Sequence, residues 1–182
     1  MGIPDKDFLR EYVFSPLPSA RGCAFLGSTD FDKLGAVKNF LLEQGVVELE
    51  HKSDFEDCFV VHDCRGKAQK VKSIAGIAAK YRDIPYVIFD NCEQILKNLE
   101  VIRIFVHLID KFDYFGSYSF TNSKNIEETF STSSFYVFLG KENLLPKPAN
   151  YAPNTNEQDR IASFLTFIQC YDFNTNSQIW SH

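Results

Sequence analysis

Gly27 and Lys33 are spaced as in the frame GxxxxGK[ST], and Asp90 closes a buried apolar run further along the chain. Together these residue types suit phosphate chemistry. A glycine-opened loop offers backbone N–H groups to an anion, a lysine adds a point charge, and a carboxylate at the end of a neighbouring strand holds Mg²⁺. The segment Gly27-Ser28-Thr29-Asp30-Phe31-Asp32-Lys33-Leu34 fits the frame in position but lacks two of its chemistries. Asp32 stands in place of the second glycine, where backbone should approach phosphate closely, and with Asp30 it adds like charge to an anion cradle. Leu34 replaces the hydroxyl residue that would ligate Mg²⁺. Asn91 follows Asp90 where a glutamate would orient an attacking water. What remains is a binding set of Gly27, Lys33 and Asp90, with no residue assigned to catalysis or to a metal. Asp90 reads equally well as the cap of the helix that follows it.

The elements that must position these residues are legible from periodicity. Ile84-Pro85-Tyr86-Val87-Ile88-Phe89-Asp90-Asn91 has a continuous apolar run entered by a proline, the pattern of a strand buried on both faces. Residues 22–27 read as a first strand, and 33–44 as a helix with Val37, Phe40 and Leu41 on one face and Gly45 as its stop. Residues 46–49 and 58–62 read as strands, separated by an acidic loop at 53–57. Residues 67–82 read as a lysine-studded helix carrying Lys67, Lys70, Lys72 and Lys80. Ile95, Leu99, Ile102, Val106 and Ile109 mark one long amphipathic helix. Residues 118–120 and 135–139 read as strands, with only Ser and Thr at 131–134, and a last helix spans 157–170. The alternation of strand and helix predicts an α/β three-layer sandwich with a mostly parallel central sheet, in which 84–90 is the central strand beside 22–27 and 135–139. The expected organisation is an N-terminal arm at 1–20, an α/β core at 21–146, and an irregular segment, short helix and tail at 147–182.

Composition narrows the function classes. With 182 residues, 45% hydrophobic and 24% charged, the chain fits one globular domain, and no apolar run approaches the length of a membrane span. A formal charge of −5 opposes broad attraction to nucleic acid. The start of the chain has no secretory pattern, and five cysteines without a CxxC pair suit reduced thiols rather than disulfides or zinc. The expected setting is therefore cytoplasmic. There is no GxSxG elbow, and the four histidines pair with no cysteine or serine in sequence, so nucleophilic hydrolysis is not indicated.

The order of strand, degenerate loop, helix, Asp63…Gly66-Lys67-Ala68…Ile74-Ala75, the run Ile84 to Asn91, and Phe135-Tyr136-Val137-Phe138-Leu139-Gly140…Leu144-Leu145-Pro146 resembles divergent AAA+ P-loop ATPases of phages and plasmids. The resemblance covers about residues 20–146 and implies a P-loop NTPase-like fold, with degenerate Walker A and Walker B motifs at Gly27–Lys33 and Asp90. Gly140 and Lys141 occupy the neighbourhood where that family carries a polar sensor, no arginine stands as a finger, and the helical lid is reduced to the helix at 157–170. The function so implied is that of a catalytically degenerate ATPase-like domain, more a protein-binding or assembly module than an enzyme. It would need no cofactor and would act with a protein partner or as a homo-oligomer, in the host cytoplasm if viral. The alternatives are a weak NTPase binding ATP with Mg²⁺ through Lys33 and Asp90, and a replication accessory factor touching nucleic acid through Lys67, Lys70, Lys72 and Lys80. Tyr151, Tyr171, Phe173 and Trp180 are the aromatics expected either to anchor a partner or to fold back on the domain.

Overall fold

The computed structural model describes residues 5–51, 57–65, 71–153 and 155–180. Gly66, Lys67, Lys70 and most of the acidic loop at 53–57 lie outside the described residues. The chain runs α1 (Lys6–Phe14), β1 (Gly22–Leu26), α2 (Lys33–Glu43), β2 (Val47–Glu48), β3 (Cys58–Asp63), α3 (Val71–Lys80), β4 (Tyr86–Asp90), α4 (Glu93–Leu96), α5 (Leu99–Ile109), β5 (Ser117–Thr121), β6 (Glu127–Ser131), β7 (Phe135–Leu139), α6 (Asn156–Phe167), β8 (Ile168–Asp172) and β9 (Ser177–Ile179). Seven strands form one sheet in the order β2-β3-β4-β7-β1-β8-β9, parallel except for the antiparallel edge strand β9. The non-alternating runs of β1, β4 and β7 follow from cover on both faces, as a parallel sheet requires.

Two apolar layers sandwich the sheet. On one side α1 and α2 bring Leu9, Val13, Val37, Phe40 and Leu41 against Cys23, Phe25, Ile88 and Val137. On the other, α3, α5 and α6 pack Ile74, Ala78, Ile102, Phe105 and Phe164 against Ala24, Phe89 and Phe138. The abundance of Phe is thereby explained. Phe89 and Phe138 stack at 5.4 Å between ring centres, and Phe105 meets both of them edge-on. The arrangement is an α/β three-layer sandwich.

Several local expectations give way to tertiary context. β4 is interior and pairs with β7 as expected, but its other neighbour is β3. The strand at 22–26 lies beyond β7, which takes the middle of the sheet. The long amphipathic helix is two helices. Asn98 is extended and its side chain accepts from the Glu100 N–H, so it ends one helix and caps the next. Ile168 continues the helical spacing of Ile161 and Leu165, yet Ile168–Asp172 is a strand because the open edge of β1 offers it a full ladder of partners. The segment expected as an arm contains α1, which packs on α2 and buries Leu9 and Val13 completely or nearly so. The sheet likewise continues past residue 146 through β8 and β9. No helix among the described residues is long and apolar enough to cross a membrane.

Candidate functional site

At the carboxyl ends of β1 and β7 the chain leaves toward opposite faces of the sheet, α2 following β1 on one side and α6 preceding β8 on the other. Such a reversal opens a crevice in α/β sheets. Here it is a cavity of about 320 Å³ whose lining includes Gly27, Lys33, Arg65, Asp90, Asn91 and Gly140. The fold thus brings Gly27, Lys33 and Asp90 to one place, although they come from separate elements.

The lysine does not face open space. Lys33 begins α2, is only 9% exposed, and its ammonium donates to the Gly27 carbonyl and, at 2.6 Å, to the Gly140 carbonyl. It also lies 5.4 Å from the centre of the Phe173 ring. Burial lowers its pKa from the ordinary lysine value, opposed by Cys92, Glu93 and Asp90 and reinforced by Lys141. The ammonium therefore ties the ends of β1 and β7 together. That is a structural use of the charge.

The loop itself is occupied by its own chain. The Ser28 N–H donates to the Asn174 side-chain oxygen at 3.1 Å, the Asn174 N–H donates to Asp172 at 2.8 Å, and the Asn143 amide donates to the other Asp172 oxygen. Gly27 has φ +94°, and a Cβ there would stand 2.8 Å from the Asn174 nitrogen and 2.9 Å from an Asp172 oxygen. Phe31 meets Phe173 edge-on at 5.7 Å, covering the loop from above. The turn between β8 and β9 thus packs against the glycine-opened loop and takes up its Ser28 N–H.

The acidic edge has its own order. Asp63 and Asp90 are in register on adjacent strands, and the Asn91 amide donates to both, at 3.0 and 3.3 Å. Arg65 grips Asp63 at 2.7 and 2.9 Å, and with Asn91 it holds the Asp63 carboxyl far below its usual range. Burial raises Asp90 above the ordinary carboxylate range, with Asp63 and Asp32 acting in the same direction. The capping alternative for Asp90 fails, because Cys92 occupies the cap position of α4 and no side chain bonds there. Asp32 likewise precedes α2 without a capping bond, its carboxylate lying against Gly35.

Sequence reasoning missed the residues that close the site. Glu93 lies two positions beyond Asn91, and one of its oxygens is buried without a hydrogen-bond partner, 2.9 Å from where a Gly140 Cβ would stand. Asp172, Phe173 and Asn174 carry no local signal, since their role depends on β8 docking beside β1. All five cysteines are buried, none in a disulfide, and burial raises Cys23, Cys64, Cys92 and Cys170 above the usual thiol range. No known family's model matches the chain, and comparison with curated proteins finds no match.

Proposed function

We propose that this chain is a P-loop-like domain of AAA+ type that has lost nucleotide turnover and works as a protein-binding or assembly module. The observation that carries this reading is the engagement of Lys33, whose ammonium is spent on the Gly27 and Gly140 carbonyls rather than presented to a ligand. Around it stand Asp32 and Asp90 and a loop N–H already bonded to Asn174, a setting that opposes a polyanion. Support for a protein partner comes from a surface turn. Phe112 and Phe115 are 87% and 83% exposed, on a segment pinned by Asp110, which accepts from the Phe112 and Asp113 N–H groups. Phe115 adopts φ 59°, a costly backbone for a bulky residue. Two exposed aromatics on one turn form the kind of anchor that fills a partner's pocket.

A phosphate-release assay with Mg²⁺ and ATP tests the loss of turnover. The natural chain and Lys33→Met should both stay at the level of the blank. Hydrolysis by the natural chain that disappears in Lys33→Met would overturn the reading.

A further inference from the structure

From Val101 to Ile109 only Arg103 and His107 escape burial on α5, and they lie one helical turn apart. The segment after the helix folds back over them. Tyr114 stacks on the His107 ring with centres 4.2 Å apart, and Tyr118 in β5 meets the same ring edge-on at 5.7 Å. The Gly116 N–H donates to the Asp110 carbonyl at 3.1 Å and closes the turn. Beside these rings runs a groove of about 320 Å³, whose lining includes Arg103, His107, Asp113, Tyr114, Phe115 and Tyr118. Phe112 is outside that lining although its neighbour Asp113 is within it, so its exposed ring stands next to the groove without filling it.

The groove carries charge of both signs, and neither is neutralised in place. Arg103 reaches Glu100 only at 3.9 Å, and that acid is already held by Arg160 at 2.8 Å. The Asp113 carboxylate takes part in no hydrogen bond or ion pair among the described residues, so the two charges of one groove do not meet each other. A lining that balances one cation with one acid selects neither an acidic nor a basic segment. A surface offering the same two charges in reverse order satisfies both, and a second copy related by a two-fold axis is such a surface.

The aromatic side chains make the same demand. Phe112 and Phe115 are the two most exposed of the large apolar side chains, in a chain whose other described Phe residues all belong to the two core layers. Projection and groove share one turn. A two-fold axis at that turn therefore seats each projection in the opposite groove and closes the pair, whereas a projection remote from its groove would link copies into open assemblies. Resting on the reading of this turn as a partner surface, we propose that its partner is a second copy of the chain, each copy placing Phe112 in the other's groove and Asp113 against the other's Arg103.

Sedimentation velocity of the full chain from about 1 to about 500 µM tests the proposal, the span over which an interface at the small end of the size range associates. The natural chain should pass from monomer to dimer. Phe112→Ala removes an exposed ring, and should weaken the dimer by about a hundredfold because symmetry deletes two anchors at once. Leu42→Ala, an exposed side chain on α2 in the opposite layer, should leave association unchanged. Asp113→Arg and Arg103→Asp should each disfavour the dimer by setting like charges across the axis. An equimolar mixture of these two variants should associate again, since each contact then joins opposite signs. A natural chain that stays monomeric at the highest concentration, or a dimer indifferent to Phe112→Ala and to both charge variants, would overturn the proposal. A monomer would leave the turn to a different protein and the loss of turnover intact, while hydrolysis in the phosphate-release assay would overturn the loss of turnover without touching the dimer.

Discussion

The ammonium of a lysine that is only 9% exposed as a residue must meet acceptors, and two glycine carbonyls supply them to Lys33. Replacing it with Met keeps the apolar stem but strands both carbonyls, so Lys33→Met should cost about 2 kcal/mol in denaturant titration. An unchanged midpoint would show that the ammonium holds nothing together. The two acids of the neighbouring strands should respond to pH with opposite signs. Asp90 has a folded pKa above its unfolded value, so its ionised form weakens the fold at neutral pH, and this penalty fades as pH falls through the folded value. Asp90→Asn should therefore raise the melting temperature at pH 7, with a gain that shrinks toward pH about 4. Asp63 is depressed, so it stabilises above its unfolded value and loses that contribution as pH falls through its folded one. Its side chain is 43% exposed and screened by solvent, which makes the loss in Asp63→Asn the smaller change. A lower melting temperature for Asp90→Asn at pH 7 would contradict the burial argument. At this scale the sequence revealed which residues meet, since glycine, lysine and aspartate each follow a readable strand. It could not reveal that the ammonium is satisfied internally, because the Gly140 carbonyl and the Phe173 ring arrive from elements remote in the chain.

β8 and the turn that follows are the elements on which the closed loop depends. Tyr171 and Phe173 are 6% and 7% exposed and share a ring cluster with Phe8, Tyr12, Phe25 and Phe31. The aromatics of the C-terminal segment thus divide, since Trp180 alone among Tyr171, Phe173 and Trp180 is largely exposed, at 59%. Deleting residues 171–182 removes the last two ladder positions of β8 against β1, all of β9, and the rings of Tyr171 and Phe173 from this cluster. The melting temperature should fall by about ten degrees or more, the scale set by a few kcal/mol in a domain of this size. A change of a degree or two would make the segment a detachable tail. A smaller edit isolates the loop. Gly27→Ala places a Cβ against Asn174 and Asp172 on a left-handed backbone, and should cost about 1–3 kcal/mol. Strands β1, β4 and β7 were readable because burial on both faces leaves continuous apolar runs. β8 was not, because Ile168 fits helical spacing and its strand state is imposed by pairing with β1.

For the whole molecule, the parallel sheet and its two helical layers follow from the alternation of elements, whereas the surface proposed for a partner has no such periodic signature. Phe112 and Phe115 fall in a short segment between α5 and β5, and their 87% and 83% exposure marks them out. Because Phe115 is strained and poorly covered, Phe115→Asn should raise stability by about 0.5–1 kcal/mol while weakening capture of a partner, with Phe112→Ala weakening capture at unchanged stability. Reduced stability in Phe115→Asn would indicate that the ring packs on its own domain instead. The central claim, that the loop of Gly27 and Lys33 is closed by its own chain and not by nucleotide, is tested most directly by thermal unfolding of the natural chain with Mg²⁺ and ATP at millimolar concentration. No shift in melting temperature is expected. Binding at a hundredfold excess over Kd would add about 2.7 kcal/mol, and a rise of about five to ten degrees that vanishes in Lys33→Met would contradict the claim.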